Sequence, residues 1–152
     1  MKMFIGSDHA GFELKNDLVS YLEEHGLDVT DMGPAEYNKE DDYPDLISLV
    51  AEEVSKDPDN VMGIVIGKSG QGEALVANKF KGVRAGVYYG GNKEIPKLLR
   101  EHNNANILSL GAGFLTQSEA EEAVDLFIET QFSNDERHKR RLEKLHIIDQ
   151  SK

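Results

Sequence analysis

The residues best suited to chemistry follow a short apolar run near the middle of the chain. Residues 64–66 are apolar and β-branched, which is typical of a strand buried on both faces. Three glycines then fall within residues 67–72, and a helix is predicted over 73–79. The free N–H groups and the dipole at such a helix start can bind an anion, although a purely structural turn is the alternative.

Glu73 lies at the start of that helix and is the strongest candidate for a catalytic group. We expect the helix dipole to keep its carboxylate ionised, and an ionised carboxylate is a ready general base. The neighbouring N–H groups could stabilise a developing oxyanion. This combination suits proton abstraction next to a carbonyl, as the glutamate of triosephosphate isomerase performs it. The alternative is that Glu73 is only a favourable first-turn residue.

Two nucleotide-binding motifs nearly match this stretch and fail. A Walker A loop needs four residues between its glycines, whereas Gly63 and Gly67 enclose three. The dinucleotide pattern needs a third glycine after Gly70 and Gly72, and there is none at the required position. A nucleotide-binding module is therefore a weak rival, which predicts thermal stabilisation by ATP.

Polar residues also follow the first predicted strand, at the edge of the sheet where the glycine turn lies. Asp8 can cap the next helix or bind sugar hydroxyls. His9, and His102 at the end of a later helix, can act as acid–base groups, with plain surface histidines as the alternative. No two of the five histidines have metal-ligand spacing with a nearby carboxylate, so we expect no metal site.

The charge balance limits the partners. The formal net charge is −11, which argues against nucleic acid and anionic membranes. Arg137 and Arg141 are four residues apart and share a helix face, as a phosphate site requires, although salt bridges with nearby carboxylates would also explain them. The chain has no cysteine, no apolar run near 18 residues and no signal-peptide pattern, so a cytoplasmic location is expected.

Five strand patterns alternate with helical patterns along the chain. The spacing suits right-handed parallel βαβ units, so we predict one three-layer α/β domain over residues 1–152 with a five-stranded parallel sheet. The second strand alternates with polar residues and is expected at an edge. Strands are predicted at 2–7, 27–32, 64–66, 83–88 and 106–110. An additional helix over 134–148 falls outside the alternation and is expected to pack on a partner subunit.

The order of these motifs resembles that of the ribose-5-phosphate isomerase B family, which includes galactose-6-phosphate isomerase subunits. The resemblance covers nearly the whole chain. It is carried by residues 6–11, 42–44, 67–79, 82–85, 101–106 and 137–141. It implies a Rossmann-like subunit, a homodimer or homotetramer with the site at the subunit interface, no metal and no other cofactor. The implied reaction interconverts an aldose phosphate and its ketose through a cis-enediolate.

The resemblance also implies roles for particular residues. One branch of the family has a cysteine base at the position of Gly67, and the glutamate branch has its base at Glu73, which this chain matches. Ser69 would move a proton between substrate oxygens, and His102 would assist ring opening. Asp8 and Asn103 would contact the sugar, and Tyr43 would line the site. His9, Arg137 and Arg141 would bind the phosphate, with the two arginines reaching over from the other subunit. The turn residues expected to contact the substrate are Gly67, Lys68, Gly70, Gln71 and Gly72.

Two positions depart from the family pattern. Gly113 stands where a phosphate-binding arginine is usual, and Lys68 replaces a usual glycine, so we hypothesise that Lys68 partly restores the charge. The predicted substrate is ribose 5-phosphate, in carbohydrate metabolism and the pentose phosphate pathway. The alternatives are a six-carbon sugar phosphate, such as allose or galactose 6-phosphate, and a non-catalytic sugar-phosphate-binding subunit.

Overall fold

The computed structural model describes all 152 residues and contains one parallel β-sheet between two layers of helices. The strands are β1 (Lys2–Ser7), β2 (Asp28–Asp31), β3 (Val61–Gly67), β4 (Ala85–Tyr88) and β5 (Ile107–Gly111). The helices are α1 (Phe12–Glu24), α2 (Tyr43–Lys56), α3 (Gln71–Ala77), α4 (Ile95–Asn103), α5 (Gln117–Glu129) and α6 (Glu136–Gln150). The predicted three-layer α/β fold is confirmed, and no helix has the length and apolar character needed to cross a membrane.

The strand order β2-β1-β3-β5-β4 places β3 at the centre of the sheet. Ser7 pairs with Ile66 on one side, and Gly67 pairs with Gly111 on the other. The carboxyl ends of β1, β3 and β5 therefore meet at one edge. The second strand pairs only with β1 and lies at the end of the sheet, as its polar alternation predicted.

The central strand is buried on both faces because its side chains alternate between two cores. Ile64 and Ile66 pack in a core formed mainly with α1 and α5. Val65 points the other way and packs in the core formed with α2 and α3. This double burial fixes β3 rigidly and therefore fixes the position of the turn that follows it.

Several element ends differ from the predictions: β3 spans Val61–Gly67 rather than 64–66, and α3 spans Gln71–Ala77 rather than 73–79. Two further differences have a local cause. The fourth strand begins at Ala85 rather than 83, because the N–H of Arg84 is bound by the Asn106 side chain at 2.8 Å. The last helix begins at Glu136 rather than 134, because Asn134 has a φ of 61° that a right-handed helix does not allow.

The last helix packs loosely on the rest of the chain. His138 is its one buried residue, while Leu145, Ile147 and Ile148 are at least half exposed. A groove of about 650 Å³ separates its later turns from the start of β4. An exposed apolar helix face of this kind is typical of a surface that another protein chain covers.

Candidate active site

The turn after β3 is held in one conformation by the neighbouring strand. Gly70 has a φ of 79° and precedes the first residue of α3, Gln71, whose N–H donates to Ser69 Oγ at 3.3 Å. The buried Ser109 hydroxyl of β5 donates to the Gly70 carbonyl at 2.6 Å. The left-handed conformation at residue 70 favours glycine, and the bond from Ser109 fixes the turn against the sheet.

Glu73 is buried at the centre of this edge of the sheet, with 4% of its surface exposed. Its carboxylate lies directly against Gly67, where it fills the space that a side chain at residue 67 would need. Glycine at 67 is therefore what allows the carboxylate to reach the end of β3.

Burial raises the pKa of Glu73, and the negative charge of Asp8 raises it further. The N–H groups of Glu73 itself and of Gly70 oppose this shift without cancelling it. The sequence led us to expect the helix start to favour the ionised carboxylate; those N–H groups do so, but desolvation of the carboxylate outweighs them in the pKa shift. A carboxylate with a raised pKa is a stronger base once ionised, and it can also return the proton that it takes.

Asp8 is also buried and caps the short 3-10 turn His9–Gly11. Its Oδ1 accepts from the Gly11 N–H at 3.2 Å, so the predicted capping role is confirmed. Burial raises the pKa of Asp8 as well. Gly11 packs so closely on Ile66 that an added Cβ would lie 2.7 Å from its carbonyl oxygen. This contact holds Asp8 against the end of β3.

His9 is bound to a carboxylate that the sequence had not singled out. Asp41 Oδ1 lies 2.6 Å from His9 Nδ1 and accepts from the His9 backbone N–H at 3.1 Å. This hydrogen bond raises the pKa of His9. One potential ligand atom from each of Asp8, His9 and Asp41 lies within 4.8 Å of the others, and the hydrogen bonds described join His9 to Asp41 and Asp8 to Gly11.

The loop before α2 forms a wall of the site. Ser7 donates its N–H to the Gly33 carbonyl at 3.1 Å, which ties the start of the loop to β1. At its end, Tyr43 packs on the glycine turn, and a Cβ added to Gly72 would lie 2.8 Å from the Tyr43 ring. The Tyr43 ring therefore lies against the glycine turn and leaves no room for a side chain at residue 72.

Lys68 crosses the turn that follows β5. The Gly113 N–H donates to the Lys68 carbonyl at 2.9 Å, and a Cβ added to Gly113 would lie 3.0 Å from Lys68 Cγ. The Lys68 side chain is exposed, and no carboxylate lies within ion-pair distance of it. The two departures from the family pattern are thus in direct contact, with the lysine stem covering the place of the missing side chain.

Four other predicted site residues lie at the opposite end of the sheet. His102 and Asn103 end α4, next to the start of β5, and β5 runs roughly 13 Å from there to the edge of the sheet where Glu73 lies. The His102 ring stacks 4.5 Å from that of His138, whose pKa is lowered by burial and by the charges of His102, Arg137 and Arg141. We call His102, Asn103, Arg137, His138 and Arg141 the basic cluster.

The arginines of the basic cluster have no carboxylate partner. Glu136 pairs with Lys139 at 3.6 Å and Asp135 approaches His138 at 3.9 Å, but no ion pair involves Arg137 or Arg141. The alternative that these arginines form salt bridges with nearby carboxylates of the same chain is therefore wrong. A single chain brings together Asp8, His9, Tyr43 and residues 67–73, and leaves the basic cluster apart from them.

A family model described as Ribose/Galactose Isomerase matches residues 3–145 of this chain. The chain is 41% identical over 143 residues to ribose-5-phosphate isomerase B of Mycolicibacterium paratuberculosis, covering 94% of this chain and 88% of that protein. It is 40% identical over 143 residues to a probable ribose-5-phosphate isomerase B of Mycoplasma genitalium, with coverages of 94% and 92%.

Solved structures give the same result. Ribose-5-phosphate isomerase B from Mycoplasma genitalium with bound ribulose 5-phosphate superposes with a TM-score of 0.95 at 38% identity, covering 99% of this chain and 97% of that one. The enzyme from Clostridium thermocellum gives a TM-score of 0.91 at 38% identity, with 99% of each chain covered. Together, the family match, the sequence identities and the shared fold show that this chain belongs to the Ribose/Galactose Isomerase family.

Proposed function

We propose that this protein is an isomerase that interconverts ribose 5-phosphate and ribulose 5-phosphate, with Glu73 as the base. The observation that carries the proposal is the buried Glu73 carboxylate, held against Gly67 at the carboxyl end of the central strand. Relatives of this chain are named ribose-5-phosphate isomerase B, and a structure of one contains ribulose 5-phosphate.

The proposed reaction moves one carbon-bound proton and one oxygen-bound proton. Glu73 takes the proton from C2 of the open-chain aldose, which gives a cis-enediolate with negative charge on O1. Backbone N–H groups of the glycine turn stabilise that oxygen. Ser69 helps move the hydroxyl proton from O2 to O1, and Glu73 then returns its proton to C1, which leaves the ketone at C2. No cofactor takes part, and the only ligand is the phosphorylated sugar.

A second copy of the chain completes the proposed site. His102, which would assist ring opening, and Asn103 lie at the opposite end of β5 from the glycine turn, with α6 and its arginines beside them, which supports their acting from a neighbouring subunit. The unpaired arginines of a neighbouring subunit would bind the phosphate, while Asp8 binds the sugar. The loosely packed α6, with its exposed apolar residues, supports a homodimer or homotetramer with the site at the subunit interface.

Lys68 is proposed to supply part of the positive charge at the phosphate end. Its stem lies over Gly113, at the carboxyl end of β5, and its ammonium group has no acidic partner. In a chain of net charge −11, an unpaired cation beside the site is a favourable place for a phosphate.

The test is a direct isomerisation assay of ribose 5-phosphate with EDTA present, alongside allose 6-phosphate and galactose 6-phosphate. We expect turnover with EDTA and the highest kcat/KM for ribose 5-phosphate. A higher kcat/KM for a six-carbon substrate would identify that sugar as the substrate instead. Binding of ribose 5-phosphate without turnover would indicate a non-catalytic subunit, and stabilisation by ATP would indicate a nucleotide-binding protein.

A further inference from the structure

Asp41 binds both the ring and the backbone of His9 through one carboxylate oxygen. A single oxygen, Asp41 Oδ1, lies 2.6 Å from His9 Nδ1 and 3.1 Å from the His9 backbone nitrogen. Because a carboxylate only accepts hydrogen bonds, Nδ1 must carry the hydrogen. The other ring nitrogen, Nε2, lies on the far side of a ring whose side chain is 33% exposed. Asp41 therefore sets both the tautomer and the orientation of the imidazole.

We propose that Asp41 is a positioning residue, which holds His9 as an imidazolium so that its Nε2–H binds the phosphate group of the substrate. The inference rests on the proposed function, because it takes the sugar phosphate as the ligand. A charged imidazole attracts a phosphate dianion far more strongly than a neutral one, and its hydrogen bond to phosphate is charge-assisted.

The surroundings of His9 favour the charged ring. The groups that face it are the carboxylates of Asp8, Asp41 and Glu40, and each of them favours the imidazolium. The edge of the Tyr37 ring packs against it, with the ring centroids 6.2 Å apart. No cation is among its close neighbours, so a bound phosphate would face an imidazolium supported from behind by Asp41.

A purely structural role does not explain why residue 41 is an aspartate rather than an uncharged asparagine. Its second oxygen, Oδ2, is buried and has no hydrogen-bond partner, which is unfavourable for a carboxylate. An asparagine could accept from the His9 backbone N–H equally well and would avoid burying that charge. The carboxylate matters for the protonation of His9, and this difference can be tested with an isosteric substitution.

The experiment compares Asp41→Asn with Asp42→Asn in the full-length protein. Asp42 is a matched control: it is adjacent, exposed, carries the same charge and makes no side-chain capping bond at α2. We expect D41N to raise KM for ribose 5-phosphate at pH 8 by about tenfold, with kcat little changed and a smaller effect at pH 6. D42N should behave as wild type, and Asp41→Glu should recover part of the affinity.

Two further measurements separate positioning from general damage. The His9 imidazole is titrated by NMR, with the His9→Gln variant used to assign its signal. Its pKa should lie above the ordinary histidine value in the wild type and fall in D41N. Because Asp41 is proposed to act through His9, the double variant H9Q/D41N should have the same KM as H9Q.

An ordinary His9 pKa in the wild type, or equal KM values for D41N and D42N across the pH range, would overturn the proposal. A further rise of KM in the double variant would also overturn it, since Asp41 would then act independently of His9. If the wild type neither binds nor converts ribose 5-phosphate, the proposed function fails instead, while the NMR titration still reports whether Asp41 holds His9 charged.

Discussion

The two ends of the sheet carry surfaces of opposite character. At the carboxyl end, Glu73 and Asp8 are buried carboxylates whose pKa values are raised, mainly by desolvation. At the other end, Arg137 and Arg141 are exposed and without ion-pair partners, beside the stacked His102 and His138 rings. One surface holds the two buried carboxylates and few cations, and the other holds unpaired cations and no buried carboxylate.

This difference explains how an acidic protein could act on a phosphate ester. A base with a raised pKa needs a desolvated, anionic surrounding, which would repel a phosphate if the same chain had to bind it alone. In the proposed dimer, arginines at the other end of the sheet of a second copy would remove this conflict. In a two-fold symmetric dimer the same pair of complementary surfaces meets twice, which gives two equivalent sites.

The largest expected effect comes from removing the proposed base, Glu73, at the carboxyl end of the sheet. Glu73→Gln removes the base and keeps the shape, so kcat should fall by about 10³-fold or more while the fold is retained. Turnover is measured with ribose 5-phosphate, and circular dichroism checks the fold. Glu52→Gln, an exposed glutamate on α2, is the control and should keep normal activity. Near-normal kcat in E73Q would remove Glu73 from the mechanism.

The next largest effect is expected from removing the two arginines of the basic cluster. The double variant Arg137→Ala/Arg141→Ala should raise KM for ribose 5-phosphate by about 10²-fold or more, because two charge-assisted contacts to phosphate are lost. Lys139→Ala removes a positive charge from the opposite side of α6 and serves as the control. Equal KM values for the two variants would show that the arginines do not bind the phosphate.

A smaller effect is expected from the cation at the carboxyl end. Lys68→Ala should raise KM a few-fold, roughly the contribution of one exposed charge, and leave kcat nearly unchanged. An unchanged KM would refute its phosphate role. Gly113→Arg in the K68A background places a cation at the neighbouring position and should restore the affinity.

The smallest expected effect is on thermal stability and tests the raised pKa of Glu73. Because the pKa of Glu73 is higher in the folded than in the unfolded chain, ionising it opposes folding, so its penalty is absent at low pH and grows as pH rises through the folded-state pKa. E73Q should therefore melt higher than the wild type at pH 8, by roughly 3 °C. The gain should shrink at pH 4, and a gain independent of pH would contradict the raised pKa.

The sequence predicted the sheet and the position of Glu73 well, but it predicted neither the direction of the Glu73 pKa shift nor the bond between Asp41 and His9. The apolar run at 64–66 and the spacing of the glycines located β3 and Glu73, because burial on both faces and turn geometry leave local patterns. The sign of the Glu73 pKa shift depends on burial by distant segments, which no local pattern records. Asp41 was missed because nothing distinguishes it from the acidic residues beside it until the loop folds onto His9.

The distance between Glu73 and the basic cluster also lay beyond the sequence. Helical spacing placed Arg137 and Arg141 on one face, but their distance from Glu73 depends on how α6 docks. That docking is set by contacts of the loop before α6, such as the Ser133 N–H bound to the Glu101 carbonyl of α4 at 3.1 Å. Such contacts have no periodicity that could reveal them in advance.

Subunit complementation tests the central claim most directly. Glu73→Gln and Arg137→Ala/Arg141→Ala chains are co-expressed with different affinity tags, and the mixed dimer is purified through both tags. One of its two sites then combines an intact Glu73 with intact arginines. At a ribose 5-phosphate concentration below the wild-type KM, where both parent proteins are nearly inactive, we predict about half of the wild-type activity. A mixed dimer as inactive as its parents would contradict a site built from the carboxyl end of one chain and the basic cluster of another.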